Sequence, residues 1–388
     1  METFSLKEKC AIVGVGETEY SWNANRSSLR LQLEASLKAI ADAGLTTRDI
    51  DGIIPYSGAG VVVEDLTSNL GIPELKFSCM VHQGGASCVA AVEIACMAIV
   101  TGAATHVLLT AGRTSHSSWR VTQRDTERPQ NSYNQMFERA YGALVPAHYY
   151  GQALRRHIHD YGGPTSLQMG AVAVACRKHA NLNPRAQMYL KPMTLEDHQK
   201  SPMVSDPFHL FDICLETDGA AAVIVTSTDR ARDLKKRPAV IMGVAQGHPD
   251  FPTSISQRPV ITELQGSLRA AKRCFQMAGL TPKDVDVAEI YDCFTGIVIL
   301  AIEDIGFCGK GEGGAFVEGG RIELGGELPV NTHGGLLSEG HISGMNHIVE
   351  AVRQIRGEGD KRQVPDAEIA LVEGFGDLFD GSMMLLRR

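Results

Sequence analysis

Three stretches of the chain place glycines beside titratable or nucleophilic side chains. The first is His82-Gln83-Gly84-Gly85-Ala86-Ser87-Cys88, followed by an apolar run to about Val100. Glycines feeding a helix start leave exposed N–H donors and a positive dipole end. That setting suits an oxyanion or an activated thiolate. A glycine-rich strand-to-helix turn with a buried structural Cys88 fits the same residues. The second is Glu289-Ile290-Tyr291-Asp292-Cys293-Phe294, at the end of a strand-like run. Ligands of open α/β sheets sit at the carboxyl ends of strands. Tyr and Asp there can donate, accept or orient protons, or simply tie down a turn.

The third stretch runs from Asn331 to His347 and holds three histidines and four glycines within 15 residues. Packing alone does not ask for that composition. Glycines admit close backbone approach, and His titrates near neutral pH. A catalytic His fits better than a core one. Metal ligation by these histidines lacks clustered carboxylate or Cys partners. GKGEGG (309–314) is no phosphate-binding loop, because no Lys-Ser/Thr closes it. His157 and His159, in the Arg-rich RRHIHDYG, are expected to face solvent.

These stretches need a scaffold. The chain has 388 residues, 44% hydrophobic and 21% charged, enough for a substantial core without disulfide or metal staples. A formal charge of −8 and no basic stripe argue against a nucleic-acid partner. Nine scattered cysteines with no CxxC pair read as reduced, mostly buried thiols. The N-terminus lacks a signal-peptide core, and no apolar run approaches 18 residues. A cytoplasmic protein with no membrane span is expected.

Strand-like runs at 10–16, 106–112, 220–225, 239–245, 285–291, 368–373 and 382–387 alternate with helix-like runs, notably 27–43 and 261–278. Continuous apolar strands in βα alternation imply a largely parallel, covered sheet. AIADAGLTTRDIDGIIP (39–55) resembles CFQMAGLTPKDVDVAEIY (274–291), with Gly44 and Gly279 235 residues apart. That is too long for a solenoid period. Two similar halves are expected, 1–235 and 236–388, meeting near the charged stretch Arg230 to Pro238. The first carries a long insertion at about 113–217, read as functional loops or a cover.

At the three motifs the sequence resembles the thiolase superfamily, in its sterol-carrier-protein and lipid-transfer-protein branch. AIVGVGETEY, SPMVSDPFHLFDICLETDGAAAVIV, AEIYDCFTGIVILAIEDIGFCGKGEGGAF and HGGLLSEGHISGMNHIVEAVRQIRGE carry the likeness, which spans the chain. The resemblance implies an α/β fold, a duplicated five-layer α/β/α/β/α sandwich, usually dimeric. Family thiolases use a nucleophilic Cys in a Cys-small-Ser/Thr-Gly pattern. Here Gly85 falls on the Cys position and Cys88 on the final Gly. Glu373-Gly374-Phe375-Gly376-Asp377 falls on the family's Cys-x-Gly-Gly loop and has no Cys. Tyr291 takes the slot of an Asn that holds an oxyanion-hole water. His341 matches the His of a Gly-His-Pro motif, with Ile342 in place of the Pro.

Without a thiol at 85 the acyl-enzyme loses its nucleophile. Enolate stabilisation beside a CoA thioester can persist. The branch includes steroid side-chain aldolases that cleave a β-hydroxyacyl-CoA with an OB-fold, zinc-ribbon partner. The resemblance therefore implies an acyl-CoA retro-aldolase and a homodimer with such a partner. Coenzyme A would enter as part of the substrate, with no permanently bound cofactor. Tyr291 and His341 are the expected acid and base, unassigned between them, with Asp292 and His333 as further catalytic candidates. Gly85, Ala86 and Gly376 are the candidate oxyanion backbone. Those aldolases are expected to carry Tyr where this chain has His341. Two other readings stand beside this one: an acyltransferase using Cys88, and a non-catalytic lipid or acyl-CoA carrier.

Overall fold

A computed structural model describes residues 5–56, 58, 60–118, 137–251, 255–376 and 379–388. The repeated motif forms the same device twice. Helix α1 (Ser28–Ala43) starts at Ser27, whose side chain accepts from the Arg30 N–H, and stops at left-handed Gly44. Thr46 then closes on Asp49, its N–H and hydroxyl donating to Oδ2 at 2.8 and 2.7 Å. Late in the chain a helix over Gln265–Ala278 stops at left-handed Gly279, and Thr281 closes on Asp284 at 2.7 Å for both bonds. The shared Leu-Thr-x-x-Asp is thus a capping box that turns each helix into the next strand.

Nine strands form the main sheet: β1 (Cys10–Glu17), β2 (Gly52–Pro55), β3 (Phe77–Ser78), β4 (His106–Thr114), β5 (Asp218–Ser227), β6 (Ala239–Gly247), β7 (Val287–Glu289), β8 (Ile369–Phe375) and β9 (Gly381–Arg387). Their order is β3-β2-β4-β5-β1-β6-β9-β8-β7. Read outward from the β1/β6 junction, both sides repeat one pattern: two antiparallel pairings, then a parallel one. The sheet is therefore not largely parallel. Of the eight neighbouring pairs, three are parallel and five antiparallel. The apolar runs reported burial on both faces, which does not fix strand direction.

Helix α2 (Ser87–Val100) and the helix over Met345–Arg356 each touch strands of both half-sheets. Helix α1 covers the outer face of the first half, and the 265–278 helix that of the second. Three buried clusters fill the spaces between the layers. This is the expected five-layer α/β/α/β/α arrangement.

The described part of 113–217 holds two long helices among irregular segments. Helix α3 (Pro146–Tyr161) and helix α4 (Ser166–Ala180) pack on the second half, α4 reaching the short helix Gly335–Ser338. His157 does not face solvent as expected. It is fully buried, with Nδ1 2.7 Å from the Gly163 carbonyl and Nε2 2.8 Å from Glu303 Oε2. It continues the inward stripe Tyr150, Ala153, Leu154, which helical spacing could have revealed. His159 is exposed, as expected.

Candidate active site

Tyr291 lies two residues past β7, and its N–H donates to Glu373 Oε2 of β8 at 3.0 Å. His341 follows the Gly335–Ser338 turn, and its N–H donates to Thr217 Oγ1 at 2.9 Å. These two bonds bring together side chains fifty residues apart: Tyr291 Oη is 3.0 Å from His341 Nε2. Tyr291 is nearly buried, and His341 is half-buried.

Gly85 lies against the Tyr291 ring. A Cβ at 85 would fall 2.1 Å from Tyr291 Cζ and 2.4 Å from the Phe375 carbonyl oxygen. The phenol therefore occupies the space that a nucleophilic side chain at 85 would need. Gly344 lies along the other edge of the ring, where a Cβ would be 3.2 Å from Cδ2.

Three residues the sequence did not single out complete the cluster. Arg113, at the end of β4, places Nη1 3.5 Å from His341 Nδ1, and its Nη2 donates to Tyr56 Oη at 3.0 Å. Cys214 Sγ lies 3.6 Å from the same Nδ1. The one legible signal was a charge ending the apolar run HVLLTAG. Burial pushes the Cys214 thiol up to about 12, so it stays protonated and can donate. Arg has no acceptor. Both neighbours thus ask for an unprotonated Nδ1, which puts the imidazole proton on Nε2, facing the Tyr291 oxygen. Burial holds the Tyr291 phenol well above its usual range, Cys293 adding to this and Arg113 opposing it. Tyr291 therefore accepts from His341 and keeps its own proton for another acceptor.

The remaining sequence candidates are placed elsewhere. Asp292 is fully buried; its oxygens accept from the N–H groups of Leu336 and Leu337 at 2.8 and 3.1 Å, and His347 Nε2 lies 3.1 Å away. It ties down a turn rather than meeting substrate. His333 is equally sealed, with Nδ1 2.9 Å from Glu289 Oε2 and Nε2 3.5 Å from Glu339 Oε2. These are close contacts without aligned hydrogen bonds. Burial lifts Glu289 well above the carboxylate range, with Glu350 adding to it. Burial also lifts Glu339, to about 7, against the pull of His333.

Two of the three oxyanion candidates are corrected as well. The Ala86 N–H donates to the Gln83 carbonyl at 3.0 Å, and the Gly376 N–H to the Asp380 carbonyl at 2.8 Å. Each closes a local turn, so neither is a free donor. Asp377 lies outside the described residues. Cys88 is 2% exposed, and burial pushes its thiol up to about 12, far from the thiolate a nucleophile requires.

His198, His209 and Asp212 form a cluster with metal-ligand atom types. Asp212 already accepts from Thr295 Oγ1 at 2.6 Å and the His209 N–H at 2.7 Å, with His198 Nε2 at 2.8 Å. The Gln199 amide at 2.9 Å makes His198 Nδ1 the acceptor, so Nε2–H donates to Asp212. The cluster is a hydrogen-bonded knot, and no metal is assigned to it.

The family model described as Thiolase C-terminal domain-like matches residues 249–387. The chain is 44% identical over 358 residues to the 17-hydroxy-3-oxo-4-pregnene-20-carboxyl-CoA lyase of Mycobacterium tuberculosis, covering 91% of this chain and 92% of that one. It is 40% identical over 377 residues to the steroid side-chain-cleaving aldolase of Thermomonospora curvata, covering 96% of each. Among solved structures, the Ltp2-ChsH2(DUF35) aldolase superposes with a TM-score of 0.93 at 39% identity, over 99% of each chain.

Proposed function

The chain belongs to the thiolase superfamily, among its steroid side-chain-cleaving aldolases, and from that premise we propose that it performs retro-aldol cleavage of a β-hydroxyacyl-CoA with a steroid or similarly bulky acyl group. The observation that carries this reading is the Tyr291–His341 pair at 3.0 Å, with the phenol filling the place of a nucleophilic thiol at Gly85. With no thiol at 85 and the Cys88 and Cys214 thiols held protonated by burial, the site lacks the thiolate of a thiolase acyl-enzyme, but it can guide protons around a thioester enolate.

A base removes the β-hydroxyl proton, the Cα–Cβ bond breaks, and its electron pair leaves a ketone and a thioester enolate. Tyr291, neutral and held by His341 Nε2–H, donates to the enolate. The phenolate left behind faces that same N–H and, beyond it, the Arg113 guanidinium. The hydroxyl proton lost at the start replaces, through solvent, the proton Tyr291 gives up, so the cycle closes. Asp292 and His333 act as positioning residues beneath the pair, and Gly85 as the close backbone wall. Coenzyme A enters and leaves as part of substrate and product, with no resident cofactor. The working form is a cytoplasmic homodimer joined by a small OB-fold, zinc-ribbon partner; the highly similar solved structure is an Ltp2-ChsH2(DUF35) aldolase, which supports a second component.

The test is a product assay. The chain, co-expressed with such a partner, is given a β-hydroxyacyl-CoA bearing a bulky ring system. Equimolar ketone and shortened acyl-CoA are expected, with no protein-bound acyl group by mass spectrometry. An acyl adduct on Cys88, or tight acyl-CoA binding without cleavage under any of these conditions, overturns the reading.

A further inference from the structure

A cavity of about 300 Å³ lies one side chain away from His341. Cys214, whose sulfur is 3.6 Å from His341 Nδ1, is part of its lining. Met193, Phe211, Ile213 and Leu337 give it largely apolar walls. Trp22 and Leu210 also line it and are 39% and 48% exposed, so it can be entered from solvent. Its volume is at the lower end of the range of about 300–1,000 Å³ for small-molecule sites.

One lining residue is out of place in such walls. Arg177, on α4, is 7% exposed. Its Nε donates to Ser338 Oγ at 3.0 Å and its Nη1 to the Lys191 carbonyl at 3.1 Å. Both partners are neutral. Among the described residues no carboxylate is within ion-pair distance of it, and burial works against its charge. Glu216 and His116 share the cavity lining, but the hydrogen bonds of Arg177 go to Ser338 and Lys191. A buried guanidinium ordinarily has a carboxylate or an equivalent acceptor. Two of its five N–H groups are bonded and its Cζ lies 5.9 Å from the centroid of the Phe211 ring, while the Nη2 group has no hydrogen-bond acceptor among the described residues. Ser338 lies three residues before His341, so the same loop aligns Arg177 and the catalytic pair.

We propose that this cavity is the subsite for the ring system of the substrate, with Arg177 donating to a carbonyl or carboxylate oxygen at the end remote from the scissile bond. Only the identity of the occupant as the ketone-forming fragment rests on the aldolase reading. That fragment carries the carbon whose bond breaks, so it must sit against the Tyr291–His341 pair. The apolar walls would hold the rings, and the one buried cation would fix their direction.

The test is equilibrium binding of three CoA-free polycyclic ketones to the protein as co-expressed with its partner. One carries a remote oxo group, one a remote carboxylate, and one only hydrogen there. Wild type should bind the first two about ten- to hundredfold more tightly than the third, the range of a hydrogen bond to a charged donor. Arg177→Met should bind all three alike, and Arg177→Lys should keep part of the preference. Should Arg177→Met fail to fold by its melting curve, Ala173→Leu, which fills the lining at a buried position on α4, should weaken all three at least tenfold. For the full-length oxo substrate, Arg177→Met should raise KM by the same factor and change kcat by less than about threefold. Equal binding of the three probes by wild type, or an unchanged preference in Arg177→Met, overturns the subsite. Absence of cleavage with every substrate, while the binding preference persists, removes the aldolase reading and leaves the subsite standing.

Discussion

Tyr291 and Asp292 are neighbours in the chain, yet their side chains lie in two different environments. Tyr291 meets half-buried His341 and keeps a proton to give away. Asp292 is sealed, and its two oxygens are taken by the amides of Leu336 and Leu337 and by His347. The same contrast separates His341 from His333, which is packed between Glu289 and Glu339. Residue type is shared between the two regions. Saturation and access decide which one does chemistry and which one holds it in place. With the Cys176 thiol 3.8 Å from Oδ2 as well, the roughly four acceptor sites of the Asp292 carboxylate are taken, and none is left for a substrate proton.

The largest expected effect is on the open side. Tyr291→Phe keeps the ring wedged between Gly85 and Gly344 and should lower kcat by about 10²–10⁴. Its stability should stay within about 1 kcal/mol of wild type, because the lost bond is a half-exposed one to His341. Turnover within threefold of wild type would erase the distinction between the two regions.

On the sealed side the cost should appear in stability. Asp292→Ala strands two buried N–H groups, at about 1–3 kcal/mol each. A denaturant titration should show a loss of about 2–5 kcal/mol. A melt as stable as wild type with turnover abolished would make Asp292 a reacting group and reverse the comparison.

Glu373 joins the regions, since it holds the Tyr291 N–H from below. Burial pushes its carboxyl up to about 7 from the ordinary 4.5, with Ser267 and the Tyr291 amide opposing. The folded state thus binds this proton more tightly than the unfolded one. Stability should fall as pH rises from about 4.5 through about 7 and level off above. Glu339, also raised to about 7, slopes the same way. Glu373→Gln should remove part of that slope and gain about 1–3 kcal/mol at pH 8. An unchanged melting profile across pH 5–8 would show that Glu373 does not titrate there.

The smallest effect belongs to Cys88. Its sealed, protonated thiol predicts that Cys88→Ala keeps kcat within about threefold and loses about 1 kcal/mol of stability from the lost packing. A hundredfold loss of turnover with an unchanged melt would return Cys88 to the reaction.

Much of the fold is legible because its signals are local. The capping boxes at Thr46 and Thr281, the left-handed glycines at 44 and 279, and the apolar strands are each set by residues a few positions apart. The duplication could be read from those same turns. Strand direction is not legible in the same way, since an apolar run records burial on two faces and nothing about its neighbour. The burial of His157 is carried by the helical stripe it completes and not by the arginines beside it in the chain.

At the site, the sequence by itself determined the missing thiol at 85, the placement of Tyr291 at a strand end and His341 in a glycine-rich loop, and hence the loss of acyl-enzyme chemistry. Only the tertiary structure decided what those residues touch. It joined Tyr291 to His341 across fifty residues, set Arg113 and Cys214 on Nδ1, closed the Ala86 and Gly376 amides into turns, and left Arg177 without a carboxylate beside a cavity. The reason is physical. A side chain's proton depends on donors and acceptors within about 3–4 Å, and here they come from β4, β7, β8 and two loops far apart in the chain.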